Sequence, residues 1–223
     1  HQLPAPLPHA LQHLSRVAQS SGLLIGPQPD DLVGHLAVLY HAVGRRQEPI
    51  GIDLGGTRIK AVAHDLDKEE EIERTILSTQ DGVFFDEDPV WTNTIRDLLA
   101  DWEDRCEAKF SAIGIASPGL PSKDESSIAF MPGRLVGIEG LEWKKLLNLS
   151  AKIRVMNDAQ ASLLGEVRQG AAEGKGDVVL LTIGTGVGGA AICDGRLLRG
   201  HIGRAGHFGH ISLDPFGKPD ICQ

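Results

Sequence analysis

The sequence predicts an α/β fold that uses one structural device twice. From residue 50 onward, apolar runs of strand length alternate with segments whose apolar residues recur at the three- and four-residue spacing of an amphipathic helix. A strand, a glycine-rich corner and a second strand occur in IGIDLGGTRIKAVAHD and again, about 130 residues later, in VVLLTIGTGVGGAAICD. A single hairpin of this kind is usually structural, but two of them predict two halves of a duplicated fold.

The remaining elements follow from the pattern in chain order. We predict a third strand at IERTILST and an amphipathic helix from about Asp88 to Lys109, because apolar residues recur at helical spacing there. Buried strands are predicted at SAIGIA and KIRVMND, and a helix at AQASLLGEVRQGA. Near the amino end, a further helix is predicted within PDDLVGHLAVLYHAVGRR, which has Pro and Asp at its start and basic residues at its end.

These elements divide the chain into three parts. Residues 1–48 open with a proline-rich run and form an N-terminal helical extension of unknown role. Residues 49–172 form a first lobe, and residues 173–223 form the beginning of a second lobe. The second hairpin therefore lies in a different lobe from the first.

Composition narrows the function classes. Hydrophobic residues make up 41% of the chain and charged residues 23%, as in ordinary globular proteins. The net charge of −8 argues against a nucleic-acid surface. No apolar run reaches the length of a membrane span, and the three widely spaced cysteines predict reduced thiols without a disulfide framework. We expect a cytoplasmic protein with neither a membrane nor a nucleic-acid partner.

The two glycine-rich corners have the composition of anion sites, because glycines leave backbone amides accessible and a hydroxyl lies beside them. The first corner consists of Gly55, Gly56 and Thr57, and the second of Gly184, Thr185 and Gly186. Neither matches the P-loop, and GTGVGG continues as a strand where a dinucleotide fingerprint would begin a helix. The alternative is a pair of plain structural hairpins. We predict that a phosphate lies between the corners, with the Asp53 carboxylate available for a metal ion.

A carboxylate follows another predicted strand directly. In RVMNDAQASLLGE, Asn157 and Asp158 come after an apolar strand and before a helix. One interpretation is a helix N-cap, a position that favours Asp and Asn. The other is a catalytic base, since strand ends in α/β folds face the ligand crevice, where a carboxylate can take a proton from a hydroxyl that attacks a phosphoryl group. Both can hold together, because a cap fixes where the carboxylate points.

Two histidines lie three residues apart in the glycine-rich stretch AGHFGH. A surface or core role is the better prediction for either His207 or His210 taken singly. As a pair in one loop, they indicate polar contacts to a ligand or a metal site.

These motifs together resemble a known family. DLGGTRIKA, SPGL, NDAQASLLGE, TIGTGVGGAAICDGRLLRG and AGHFGHISL occur in the order found in the ROK family of sugar kinases and sugar-responsive repressors. The resemblance runs from about Ile50 to the end of the sequence and leaves residues 1–48 outside. It implies a ribonuclease-H-like fold of the actin/hexokinase type, with a complete ATPase-type first lobe and the start of a second.

The resemblance also implies a function, which is ATP-dependent phosphorylation of a hexose or amino sugar with ATP and Mg²⁺ as cofactors. Asp158 matches the base that activates a sugar hydroxyl, and Asn157 matches its sugar-binding neighbour. Asp53 is oriented toward the magnesium of Mg-ATP. The two corners match the family's two phosphate motifs, the second close to the γ-phosphate. His210 matches a histidine that contacts the sugar and, in most members, ligates a structural zinc.

Three features depart from the family pattern. His207 stands where the family has a glutamate that contacts sugar hydroxyls, so we expect His207 to bind substrate and the preferred sugar to differ. Asp220 and Gln223 stand where the zinc motif has Cys and Gly, so we expect no zinc. The sequence ends before the adenosine-binding part of the second lobe. We therefore expect negligible sugar turnover by this chain alone and self-association into a homo-oligomer. We also expect the strands VVLLTIG and GAAIC to be partly exposed or covered by a neighbouring chain.

The alternative function is a sugar-binding transcriptional regulator of the family's repressor branch. Its sign would be an N-terminal winged helix-turn-helix. Residues 1–48 are too short, too rich in proline and too weakly basic for a complete one. The retained Asp158 and both corners favour the kinase, because a pure regulator has no need of them.

We predict that the purified protein contains less than one zinc ion per chain and that a chelator barely changes its Tm. A structural zinc site needs about four good ligands, and the altered motif leaves only His210 and Cys222. Elemental analysis checks the prediction. One zinc per chain would contradict it and would require ligands elsewhere in the sequence.

Overall fold

The computed structural model describes residues 23–26, 49–65, 70–106, 110, 112–149, 151–183, 187–212, 214 and 216. The strands among them are, in chain order, β1 (Leu23–Gly26), β2 (Pro49–Leu54), β3 (Arg58–Asp65), β4 (Glu70–Ser78), β5 (Phe84–Phe85), β6 (Asp88–Pro89), β7 (Ala112–Ser117), β8 (Leu120–Pro121), β9 (Ile128–Phe130), β10 (Lys152–Asn157), β11 (Val178–Ile183), β12 (Val187–Cys193) and β13 (Arg196–Leu197). The helices are α1 (Val90–Cys106), α2 (Trp143–Leu147) and α3 (Asp158–Gln169), with a 3-10 turn at Phe208–His210.

The first sheet has five strands in the order β10, β7, β2, β3, β4. Strands β2, β3 and β4 form an antiparallel meander, as the first hairpin and the predicted third strand require. Strands β7 and β10 run parallel to β2 on its other side. Such connections need crossovers, and α1 lies in the crossover that leads from β4 to β7.

A core of apolar side chains lies between this sheet, α1 and α2. Strand β7 is buried along its whole length, which explains why SAIGIA is almost continuously apolar. The side chains of Trp91, Ile95 and Trp102 share the buried face of α1. The Trp91 ring also packs against Trp143 of α2, with 5.9 Å between ring centroids. The predicted amphipathic helix is therefore confirmed, and its apolar face covers the sheet.

The first residues of the predicted helix belong to a strand instead. Asp88 and Pro89 pair with Phe85 and Phe84 as a short hairpin, so α1 begins at Val90. The predicted end at Lys109 lies outside the described residues, and α1 ends at Cys106. No helix in the described part of the chain has the length and apolar character needed to cross a membrane.

The second sheet has four strands in the order β1, β11, β12, β13. Strands β11 and β12 form the predicted second hairpin, and β13 continues it. Strand β1 comes from the N-terminal extension and pairs in parallel with β11, with Leu23 opposite Val179. This strand was not predicted from the sequence, and the helix predicted at residues 29–46 lies outside the described residues. The two sheets share one arrangement, in which a meander carries a parallel strand on its other edge.

Helix α3 covers one face of the second sheet. Val178 and Leu180 of β11 and Ala190 of β12 are buried against apolar side chains of α3 such as Leu163. On the opposite face of β11, alternate residues remain partly exposed. The expected partial exposure therefore holds for one face of Val178–Ile183, while the other face is covered by the chain's own helix. For GAAIC the expectation is wrong, because its residues are buried except Cys193.

The end of β4 fastens the first glycine corner. The Thr79 hydroxyl donates to the Gly55 carbonyl oxygen at 2.6 Å, and the Thr79 backbone N–H donates to the Thr57 carbonyl oxygen at 3.1 Å. Thr79 is fully buried. The corner is therefore held from beneath by a residue more than twenty positions later in the chain.

We predict that Thr79→Val lowers the free energy of unfolding by about 1 to 3 kcal/mol, because it leaves the Gly55 carbonyl oxygen without its buried donor while preserving shape. Thr75→Val is the matched control, since Thr75 lies on β4 four residues before Thr79, is less buried, and should change stability by only about 0.5 kcal/mol. Urea unfolding measures both. Equal midpoints for the two variants would show that the hydroxyl does not hold the corner.

Candidate active site

Three parallel strands bring both predicted carboxylates to one edge of the first sheet. Strands β2, β7 and β10 run in the same direction, so their carboxyl ends share an edge. The register places Asp53 opposite Ala116 of β7, and Asn157 opposite the next residue, Ser117. Asp158 follows Asn157 directly, so only β7 separates it from Asp53. Ligands of α/β sheets bind outside this edge of the sheet.

Asp53 is a largely buried acid beside one cation. The side chains of Asp53 and Lys60 are each 14% exposed, and Asp53 Oδ2 lies 3.9 Å from Lys60 Nζ. The pKa of Asp53 is raised from its ordinary 3.8 to about 6, first by burial and then by the negative charge of Asp158, while Lys60 opposes the shift. The two carboxylates are therefore close enough for one to raise the pKa of the other.

Asp158 is the first residue of α3, and its carboxylate lies at the helix N-terminus. Its Oδ1 accepts the backbone N–H of Ala159 at 2.8 Å. The residue is half-buried, and burial raises the pKa of its carboxyl. The Ala159 N–H and the nearby His207 partly offset this rise in pKa. A carboxyl with a raised pKa is a stronger base than an ordinary aspartate, so the position suits proton transfer.

Asn157, rather than Asp158, is the N-cap of α3. Its Oδ1 accepts the backbone N–H groups of Ala159 at 3.0 Å and Gln160 at 3.3 Å, and its Nδ2 donates to the Gly119 carbonyl oxygen at 3.0 Å. The cap fixes the first turn of the helix and therefore the direction of the Asp158 carboxylate. These bonds use both acceptor sites of Oδ1 and one of the two Nδ2 hydrogens. The predicted contact of Asn157 with a sugar stays a prediction.

The first corner offers two backbone amides to a ligand. The Gly55 N–H closes the turn by donating to the Arg58 carbonyl oxygen at 3.0 Å. Within the described residues, the N–H groups of Gly56 and Thr57 have no backbone acceptor. Gly56 is half-buried and Thr57 is exposed. In the first corner, the amides that can face an anion are therefore those of Gly56 and Thr57.

The second corner, residues 184–186, lies outside the described residues. Its flanking strands end at Ile183 and resume at Val187 as a paired hairpin. Its predicted role at a phosphate therefore stays a prediction.

Two glycines bring residues 205–210 onto β12. The φ of Gly206 is 89°, and a Cβ there would lie 3.0 Å from the backbone of β12. A Cβ on Gly209 would collide with the Val187 carbonyl oxygen. Only glycine permits this close approach, which fixes the position of His207.

His207 presents an unpaired nitrogen close to Asp158. Its Nε2 is buried and has no hydrogen-bond partner within the described residues. Burial, His210 and Arg204 lower the pKa of His207, and the Asp158 carboxylate opposes them. The His207 and His210 rings stack with 6.3 Å between centroids and 15° between planes. A neutral imidazole at this point can donate a hydrogen bond or accept one.

The described residues contain no group of three or more His, Cys, Asp or Glu side chains that could hold a metal ion. Asp220, Cys222 and Gln223 lie outside those residues. The expectation about zinc therefore stays a prediction.

The ion pair between Lys60 and Asp53 was not predicted from the sequence. Lys60 stands directly opposite Asp53 in the β2–β3 register, so a correct hairpin register would have predicted the ion pair. No local signal pointed to the Gly119 carbonyl oxygen or to Arg204. Their contacts join segments that lie far apart in the sequence.

A curated relative of this chain is a sugar kinase. The glucokinase of Streptomyces coelicolor is 34% identical over 170 residues, which cover 75% of this chain and 50% of the relative. The chain thus spans about half the length of the curated relatives it matches.

Solved structures share the fold. A ROK family glucokinase from Streptomyces griseus, solved with glucose and AMPPNP, matches with a TM-score of 0.62 and 29% identity over 77% of this chain and 52% of its own. A ROK family transcriptional regulator, a homologue of the Escherichia coli MLC protein, matches with a TM-score of 0.63 and 26% identity over 78% of this chain and 44% of its own. The predicted actin/hexokinase-type fold is confirmed.

The family model named ROK family matches residues 49–223, which are most of the chain. This range begins with β2, whose end carries Asp53, and contains both hairpins and the histidine loop. The chain belongs to the ROK family.

Proposed function

We propose that this chain is part of an ATP-dependent kinase that phosphorylates a hexose or an amino sugar. The observation that carries the proposal is the pair of carboxylates, Asp53 and Asp158, with raised pKa values at the shared ends of parallel strands. Membership of the ROK family and the likeness to a glucokinase solved with glucose and AMPPNP support it.

Asp158 is the proposed general base. Its carboxylate accepts the proton of a sugar hydroxyl as that oxygen forms a bond to the γ-phosphorus of ATP. The bond from that phosphorus to the β,γ-bridging oxygen breaks, and ADP leaves with the electron pair. The raised pKa of Asp158 favours this proton transfer, and the Asn157 cap keeps the carboxylate in place.

Asp53 and the glycine corners are the proposed phosphate side of the site. The Asp53 carboxylate suits Mg²⁺, which prefers oxygen ligands and is usually held by one or two carboxylates together with substrate phosphates. Bound magnesium would neutralise charge on the phosphate oxygens. The free amides of Gly56 and Thr57 would donate to those oxygens, and residues 184–186 would lie near the γ-phosphate.

The sugar side of the proposed site consists of Asn157, His207 and His210. The buried Nε2 of His207 has no described partner, so a sugar hydroxyl that binds there satisfies it without displacing a protein bond. A histidine differs from a carboxylate because it can donate as well as accept. The sugar hydroxyl beside His207 can therefore act as an acceptor. We expect a sugar preference that differs from that of family members with a glutamate at this position.

The alternative is a sugar-binding regulator, which the likeness to the ROK family transcriptional regulator favours. A regulator needs the sugar contacts but has no use for a base or for a magnesium-binding carboxylate. The pairing of Asp158 with Asp53 favours the kinase.

We predict that Asp158→Asn lowers sugar turnover by about 10²- to 10⁴-fold in a chain that continues past Gln223 and leaves sugar affinity nearly unchanged. Asparagine keeps the shape and can still accept the Ala159 N–H, but it cannot take a proton. Asp97→Asn, on the exposed face of α1, is the control. A coupled ADP-release assay measures both. Turnover close to wild type in Asp158→Asn would show that another group is the base.

We predict that Asp53 titrates near pH 6 in the metal-free protein, whereas Asp124 titrates below 3.8 because the Ser122 and Ser126 hydroxyls stabilise its charge. Carboxyl ¹³C NMR measures both, and Asp158→Asn should lower the Asp53 midpoint by removing a negative neighbour. The folded protein holds the Asp53 proton more tightly than the unfolded chain. The contribution of Asp53 to stability therefore falls as pH rises from about 4 to about 6. An Asp53 midpoint near 4 would contradict the buried carboxylate pair.

A further inference from the structure

A buried carboxylate outside the site joins the two sheets. The Glu125 side chain is 7% exposed, although it lies in the turn between β8 and β9. Its φ is 58°, in the left-handed region that residues with side chains seldom adopt. A buried charge on a strained backbone persists only where its surroundings hold it there.

Two arginines from different parts of the fold meet this carboxylate. Arg154 of β10 forms an ion pair with Glu125, with Nη2 2.8 Å from Oε2. Arg199, which follows β13, contacts Glu125 Oε1 through Nη1. One side chain therefore bridges the first sheet and the chain that leaves the second sheet.

Residues 119–125 are themselves fixed to β10, the strand that leads to Asp158. The Glu125 carbonyl oxygen accepts the Val155 N–H at 2.8 Å. Earlier in the same segment, the Gly119 carbonyl oxygen accepts the Asn157 side-chain amide at 3.0 Å. The position of Glu125 relative to the Asp158 carboxylate is thus set by two hydrogen bonds to β10.

Arg199 in turn begins the loop that ends at His207. The Ala205 N–H donates to the Arg199 carbonyl oxygen at 3.2 Å, which closes residues 199–205 on themselves. Farther along the loop, the Arg204 guanidinium lies 5.9 Å from the centre of the Phe130 ring. The loop therefore contacts Glu125 through Arg199 near its start and Phe130 through Arg204 near its end.

We propose that Glu125 is a positioning residue that holds residues 199–207, through Arg199, against β10, the strand that leads to Asp158, and so keeps His207 beside the Asp158 carboxylate. The inference deepens the proposed function and rests on it for its purpose, since it concerns the sugar side of that site. The contacts that carry it are independent of which reaction the site performs.

Hydrogen exchange followed by mass spectrometry tests the positioning in the chain itself. In Arg199→Gln, amides of residues 199–207 should exchange about tenfold faster or more after correction for intrinsic rates, because a charged contact holding the loop is lost. Peptides of β2 and β7 should be unchanged. The exposed Glu173 gives the control Glu173→Gln, which should leave both regions unchanged.

The Glu125→Gln variant supplies the second half of a double-mutant cycle. If Glu125 and Arg199 act together, the double variant should exchange no faster in residues 199–207 than the faster single variant. Arg199 is largely accessible, so its variant keeps the test available if Glu125→Gln does not fold. Unchanged exchange in residues 199–207, or equal acceleration in β2 and β7, would overturn the proposal.

Kinetics separate positioning from general stability in an active, longer chain. Arg199→Gln should raise the KM for sugar about tenfold while leaving the KM for ATP unchanged, because the loop contacts only the sugar side. Equal changes in both KM values would contradict the positioning role. If the longer chain with its native Arg199 shows no kinase activity, the proposed function fails. The exchange measurement then still decides whether Glu125 holds the loop.

Discussion

The parallel alignment of β2, β7 and β10 is the constraint on which the site depends. Because these strands end at one edge, a carboxylate at the end of β2 and another directly after β10 come within reach of each other's charge. Both are costly to ionise there, since burial disfavours two negative charges side by side. A cation or a transferable proton relieves that cost. A site with this property suits a magnesium-bound phosphate on one side and a hydroxyl that loses its proton on the other.

Residues 205–210 bring His207 close to Asp158, and they are held there by close backbone contact with β12. Gly206 and Gly209 let residues 205–210 lie directly on β12. The ion pair between Glu125 and Arg199 holds the start of the preceding loop against the turn between β8 and β9. His207 is therefore placed by packing on one sheet and by charge on the other.

Local pattern could predict the elements that carry a clear apolar period or a marked turn. The two hairpins, α1, α3 and the strand before Asp158 follow from apolar spacing and turn residues. Strand β1 escaped prediction because its partner, β11, lies more than 150 residues away. The start of α1 was misplaced because Asp88 pairs with Phe85. The Glu125 tie also has no local signal, since buried ion pairs join segments whose contact only the fold creates.

The most direct test of the account is sugar-dependent ADP release by a chain that continues past Gln223. Glucose, fructose, mannose, allose and their N-acetylamines would each be supplied with Mg-ATP in a coupled assay. The account predicts ADP release that requires a sugar and that differs strongly among these sugars. Sugar binding without any sugar-dependent ADP release would contradict it and would favour the regulator.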